Sequence, residues 1–178
     1  MPRYSRRIRR YYRSRSRWSA NIQEISTSVV NAEVGANIAT YTLAFNPTQV
    51  NTAVSQVYTV KNFEITFSPE YPSNASSAIA NNIEDISAYI VFVPQGMVVG
   101  TDYNIQHPEY VMAYKFYGSP SADANGPTVY RIRTRLSRKL NTGDSIQLLI
   151  KYNNQYTQAL TGTVFELHGL CRWWTKAN

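Results

Sequence analysis

Eight arginines among the first 17 residues give this sequence, which opens MPRYSRRIRRYYRSRSRW, its most distinctive chemistry. Guanidinium groups bind phosphate in a bidentate geometry and stack on bases, whereas an ammonium group acts as a point charge. The segment has no lysine and no acidic residue, and its aromatic rings offer faces on which unpaired bases can stack. This combination favours single-stranded nucleic acid over a membrane, for which aliphatic anchors are expected. The predicted nucleic-acid-binding residues are Arg3, Arg6, Arg7, Arg9, Arg10, Arg13, Arg15, Arg17, Tyr4, Tyr11, Tyr12 and Trp18.

The net charge is divided unevenly along the chain. The whole sequence carries +7, and residues 1–17 alone carry +8. The rest therefore holds ten Lys or Arg (18 minus 8) against eleven Asp or Glu, which gives about −1. Such asymmetry indicates a polyanionic partner for the N-terminal segment and an almost neutral body.

The N-terminal segment has too few aliphatic side chains to offset the entropy of ordering it. We therefore expect a flexible arm over residues 1–20 and one folded domain over residues 21–178. Three other roles stay open for the arm: a nuclear import signal, a mitochondrial transit peptide and a solubilising tail. Its tyrosines and tryptophan argue against the last of these.

Few other residues have the types and spacing that catalysis needs. His107 and His168 lack partners at metal-ligand spacing, and Cys171 is expected to pack as a small hydrophobic side chain. There is no phosphate-binding Gly-rich loop and no nucleophile elbow. No apolar run approaches the ~18 residues of a membrane span. We expect no enzymatic activity, no metal, no cofactor and no membrane span.

A second basic stretch, residues 131–139, reads RIRTRLSRK. In a strand, Arg131, Arg133 and Arg135 lie on one face, and the intervening residues, including Leu136, lie on the other. Like charges at this spacing repel each other unless something anionic opposes them. The row could face nucleic acid, contact another subunit, or be solvated and paired with acids of a neighbouring strand. The possible second basic surface comprises Arg131, Arg133, Arg135, Arg138 and Lys139.

After Trp18, short runs rich in Val, Ile, Thr, Tyr and Phe alternate with turn residues, which predicts an all-β body. The predicted strands span residues 22–34, 37–46, 56–68, 86–94, 109–117, 128–137, 144–153 and 162–174. The turn at residues 141–144 predicts a hairpin between the sixth and seventh strands. Long loops are expected at 68–85, 94–108 and 118–127, with a helical turn at 79–86. Eight strands with such loops favour a single jelly roll of two packed four-stranded antiparallel sheets.

An Arg/Tyr arm before eight strands resembles the coat proteins of small circular single-stranded DNA viruses, circovirus-like in the broad sense. The likeness covers essentially the whole chain. Two segments carry it most clearly: AYIVFVPQG at residues 88–96 and RIRTRLSRKLNTGD at residues 131–144.

This resemblance implies a structural protein whose copies assemble into a small icosahedral shell, of T=1 class, around single-stranded DNA. The arm would reach the genome and serve as a nuclear import signal, so that the protein occurs in the virion and in the host nucleus. DNA rather than RNA follows from the resemblance alone. The remaining alternatives are a small RNA virus coat protein and a nucleic-acid-binding module that forms no shell. The aromatic residues expected at shell contacts are Tyr103, Tyr110, Tyr117, Tyr156, Trp173 and Trp174.

Overall fold

The computed structural model describes residues 17–47, 57–70, 83–118, 129–156 and 159–177, which form eight strands. Sheet 1 has the strand order β1-β8-β3-β6 and sheet 2 the order β2-β7-β4-β5, and all neighbouring strands are antiparallel. Two such sheets form a jelly roll, so the predicted all-β fold is confirmed. The strands are β1 (Ser19–Ala32), β2 (Gly35–Phe45), β3 (Tyr58–Glu70), β4 (Ile83–Val93), β5 (Val111–Gly118), β6 (Tyr130–Leu140), β7 (Ser145–Asn154) and β8 (Leu160–Ala177).

The core lies between the two sheets and follows from strand alternation. In β3, Phe63, Ile65 and Phe67 are buried, while Glu64 between them is exposed. The opposite sheet contributes Ile90 of β4 and other buried aliphatic side chains. Complete burial of each such side chain stabilises the fold by about 1.5–3 kcal/mol.

A second apolar cluster lies on the outward face of sheet 2. Val91 and Val93 of β4 and Leu149 of β7 are buried there beneath the connection between β4 and β5. This connection contains a short helix, α1 (Tyr103–Gln106), and a 3-10 helix (Pro108–Tyr110), so it is not the unstructured loop that the sequence predicted. The Tyr103 hydroxyl donates to the Phe92 carbonyl at 2.7 Å. Because this connection covers the outward face of β4, the strand is apolar on both faces.

The turn at residues 141–144 connects two sheets, so the predicted hairpin is wrong. β6 pairs with β3 in sheet 1, whereas β7 pairs with β2 and β4 in sheet 2. The Asn46 and Asp144 backbones bond across this corner, from Asn46 N–H to Asp144 C=O at 3.0 Å. A short turn therefore allows a change of sheet as readily as a reversal within one.

The helical turn predicted at 79–86 is also wrong where the structure describes it. Residues 83–86 begin β4, and Ile83 and Ile86 are each only 1% exposed. Both side chains reach the core because the register shifts between Glu84 and Ser87, where Asp85 has a φ of 55°. Residues 79–82 lie outside the described residues.

Candidate nucleic-acid interface

The arm joins the outward face of sheet 1. Of its predicted binding residues, Arg17 and Trp18 are described, and β1 begins directly afterwards at Ser19. The Lys61 ammonium of β3 lies 3.8 Å from the centroid of the Trp18 ring, which is a cation–π contact. The predicted residues outside the described part are Arg3, Arg6, Arg7, Arg9, Arg10, Arg13, Arg15, Tyr4, Tyr11 and Tyr12.

The basic row of β6 points outward on the same sheet. Arg131, Arg133 and Arg135 are exposed, whereas Ile132 and Thr134 between them are buried. The alternation fails at Leu136, which was expected on the buried face and is 56% exposed. The register between β3 and β6 shifts at this point, where β6 has one more residue than β3. One side chain of β6 therefore does not point into the core.

None of these arginines is neutralised by a neighbouring strand. Within the described residues, the only basic nitrogens within 4 Å of a carboxylate oxygen belong to the two histidines, His107 with Glu109 at 3.5 Å and His168 with Glu166 at 3.2 Å. Glu64 is in register with Arg133, yet its carboxylate is not within that distance of the guanidinium. The salt-bridged alternative for the row is therefore wrong, and its charge is left to solvent or an external anion.

The outward face of sheet 1 carries more cations than carboxylates. We call this surface the basic face. In the register of the strands, Glu70 and Glu166 pair at the end away from Trp18, while Lys139 and Lys176 flank Thr59 at the near end. The exposed cations are thus concentrated towards the arm. Among described residues the basic face has the cations Lys61, Arg131, Arg133, Arg135, Lys139, Arg172 and Lys176, and the carboxylates Glu24, Glu64, Glu70 and Glu166.

Arg138, predicted as part of the second basic surface, does not belong to it. Its position on β6 directs the side chain towards sheet 2, where the guanidinium lies 5.5 Å from the Phe92 ring centroid. It also donates a hydrogen bond to the Glu109 carbonyl. Arg138 therefore links the two sheets at the edge of the sandwich.

The two adjacent tryptophans of β8 point to opposite faces. Trp173 packs against the core and stacks on Phe63, with ring centroids 6.1 Å apart and planes 8° apart. Trp174 lies on the basic face, and the Arg172 guanidinium is 4.7 Å from its ring centroid. Of these two tryptophans, only Trp174 can contact a partner on the basic face.

The aromatic residues expected at shell contacts pack mostly inside the subunit. Tyr103 is 3% exposed, and Tyr110, Tyr117 and Tyr156 pack against the two apolar clusters. Burial raises the pKa of Tyr103 and of Tyr117 to about 12. Other apolar side chains, not expected at shell contacts from the sequence, are more than half exposed, and strand alternation could have placed several of them outward. On strands these are Ile22, Val30, Phe45, Tyr114, Phe116, Leu136 and Leu170.

Cys171 lies in the core rather than in a site that would activate its thiol. Cys171 is completely buried, and desolvation raises the pKa of its thiol to about 12, so the neighbouring Arg172 does not activate it. The described part of the chain contains no cluster of three or more His, Cys, Asp or Glu that could hold a metal ion. None of its helices is long and apolar enough to cross a membrane.

Comparisons with known proteins give likeness at the level of solved structures only. No protein-family model and no curated protein matches the chain. Similar solved structures come from Desmodium yellow mottle tymovirus (13% identity, 91% of this chain and 89% of that chain covered, TM-score 0.39). Others come from Turnip yellow mosaic virus (12%, 90% and 94%, 0.40) and a semi-empty Macrobrachium rosenbergii nodavirus particle (9%, 99% and 91%, 0.38). At these identities and TM-scores the likeness carries no argument about function, and membership of the circovirus-like family is not established.

Proposed function

We propose that this protein is the capsid subunit of a small virus, which assembles with copies of itself and packages single-stranded nucleic acid. One observation carries the proposal: Trp18, where the Arg-rich arm ends, lies on the face of a jelly roll whose cations form no ion pair among the described residues. The basic face and the point at which the arm ends therefore lie on one side of the subunit. This separation leaves the rest of an almost neutral body for contacts between copies.

Contacts between copies need apolar surface with little net charge. Sheet 2 offers Phe45, Tyr114 and Phe116 on its outward face, each more than half exposed. Ile22 and Leu170 are also exposed, but they lie on the basic face beside Arg172 and Glu24 and are not counted with this surface. Large exposed side chains of this kind typically mark interaction surfaces when they occur together.

The finer parts of the proposal rest on the resemblance of residues 88–96 and 131–144 to circovirus-like coat proteins. They are a T=1 shell, single-stranded DNA as the cargo, and an arm that also directs import into the host nucleus. In a shell of sixty copies, eight arginines per arm would supply about 480 positive charges to release counterions from phosphates. Because flexible guanidinium groups contact phosphates rather than base edges, packaging would be independent of sequence. The alternative is the coat protein of a small RNA virus.

The direct test is electron microscopy of the purified recombinant protein, with the absorbance ratio at 260 and 280 nm as a measure of enclosed nucleic acid. We expect closed particles of uniform diameter. A protein that stays monomeric over all salt and protein concentrations would contradict the shell. Digestion of the extracted nucleic acid by DNase or by RNase decides between the DNA and RNA alternatives.

A matched pair of variants tests the arm. Replacing all eight arginines of residues 1–17 by glutamine removes +8, whereas replacing them by lysine keeps the charge. We expect the glutamine variant to form empty shells and the lysine variant to retain cargo, because charge dominates phosphate binding. Glutamine shells with as much cargo as the unmodified protein would refute the role of the arm.

A further inference from the structure

A cavity of about 400 Å³ opens on the basic face between Trp174 of β8 and the basic row of β6. Its wall includes Trp174, Arg133 and Arg135, together with the polar side chains of Asn62 and Glu64. This volume lies in the usual range for small-molecule sites, which are concave and have a few placed polar groups. It combines the indole of Trp174 with two arginines that form no ion pair among the described residues.

The cavity lies at a point where β3 is irregular. Lys61 pairs with Trp174, and Glu64 pairs with Arg172. Two residues of β3 therefore lie between these pairs, opposite a single residue of β8. Asn62 takes up the extra residue with a φ of 54°. Such a bulge redirects side chains and is common beside functional sites. Here the extra residue, Asn62, lines the cavity between Trp174 and β6.

We propose that this cavity is a nucleotide site, in which a base of single-stranded nucleic acid stacks on Trp174 and adjacent phosphates contact Arg133 and Arg135. Residues two apart on a strand are about 6.6–6.8 Å apart along it, so the two guanidiniums can meet successive phosphates of an extended strand. The amide of Asn62 and the carboxylate of Glu64 offer hydrogen-bonding groups to the base edge. The inference rests on the proposed function, and it adds a site on the folded domain to the binding proposed for the arm.

The location of the cavity connects it to the arm. Lys61 is in register with Trp174, and its ammonium contacts the ring of Trp18, where the arm meets β1. Nucleic acid drawn in by the arm would therefore reach the cavity without crossing the subunit. Each of the two indoles also has a cation near its ring, which suits stacking beside phosphate.

The test is ultraviolet cross-linking of the full-length protein to an oligothymidylate of about six nucleotides, followed by trypsin digestion and mass spectrometry. Cleavage after Arg172 and Lys176 releases the peptide WWTK, residues 173–176, separately from all arm peptides. We expect an adduct on Trp174 in addition to adducts on the arm. Trp174→Leu should reduce the adduct on this peptide at least about fivefold, the lower bound for loss of base stacking, and Trp174→Phe should retain most of it.

Two double variants separate a site from general charge. Arg133→Ala with Arg135→Ala removes two cations that line the cavity, and Arg131→Ala with Lys139→Ala removes two from the same face of the same strand. We expect the first pair to lose the Trp174 adduct and the second to keep it, with arm adducts unchanged in both. These side chains are exposed, and circular dichroism checks that each variant is folded.

Each outcome separates this inference from the proposed function. Adducts on the arm without any on Trp174 would overturn the nucleotide site and leave the packaging role intact. Equal loss in both double variants would also overturn it, because charge alone would then explain the contact. No adduct anywhere on the protein would contradict both.

Discussion

Asp144 holds three chain connections together, and its removal gives the sharpest stability prediction for this fold. One carboxylate oxygen accepts from the backbone N–H of Gln95 at 3.0 Å, and the other accepts from that of Asn141 at 2.8 Å. The backbone carbonyl of Asp144 accepts from Asn46. The residue is only 5% exposed, so Asp144→Ala would leave two backbone donors without partners.

The size of the effect follows from these two bonds. A hydrogen bond to a charged acceptor contributes about 1.5–3 kcal/mol, which sets an upper range of about 3–6 kcal/mol for the pair. Gln95 is exposed, so water can reach its N–H after the substitution and recover part of the loss. We expect Asp144→Ala to lower the free energy of unfolding by about 2–4 kcal/mol. Asp144→Asn keeps one acceptor oxygen and should lower it by about half as much.

The measurement is urea unfolding of the unassembled protein, followed by tryptophan fluorescence. Asp102→Ala is the matched control, because Asp102 precedes α1 and its side chain makes no capping hydrogen bond. This control should change the free energy of unfolding by no more than about 0.5 kcal/mol. If Asp144→Ala lowers the free energy of unfolding no more than the control does, the carboxylate does not hold Gln95 and Asn141 as described.

Three further predictions concern the core. A Cβ at Gly169 would lie 2.3 Å from the Thr66 carbonyl oxygen. Gly169→Ala should therefore lower the free energy of unfolding by about 1–3 kcal/mol in the same urea assay. An unchanged free energy of unfolding would show that β3 and β8 can separate there. Because burial raises the pKa of Cys171 to about 12, a disulfide reagent at pH 8 should react with its thiol only after unfolding, and rapid reaction of the native protein would contradict this. Burial also raises the pKa of Tyr103 and of Tyr152 from 10 to about 12, so their contribution to stability should be complete below pH 10 and be lost as the pH rises towards 12. A free energy of unfolding that stays constant between pH 10 and pH 12 in the urea assay would refute it.

The strands and their buried faces could be predicted from the sequence because both depend on local alternation. Phe63, Ile65 and Phe67 alternate with polar residues, and the structure buries all three. The pairing of strands could not be predicted in the same way. The turn ending at Asp144 has the composition of a hairpin turn, yet it carries the chain from one sheet to the other, since both outcomes satisfy the same short turn.

The interface was also only partly visible in the sequence. The outward direction of Arg131, Arg133 and Arg135 followed from strand periodicity. Arg138 could not be assigned in this way, because its contact with Phe92 belongs to the other sheet. Shell-contact residues were chosen by aromatic type, and type does not distinguish a buried tyrosine such as Tyr103 from an exposed one such as Tyr114.

By itself, the sequence determined the separation of charge between residues 1–17 and the body, and the all-β character of the body, because composition and period-two patterns are properties of short segments. Only the tertiary structure decided that Trp174 and the arginines of β6 lie on either side of one cavity. They are about forty residues apart in the sequence and belong to strands that do not pair with each other, and β3 between them sets their separation. The physical reason is that the order of the strands depends on which faces are buried throughout the sandwich. No single segment of the sequence contains that information.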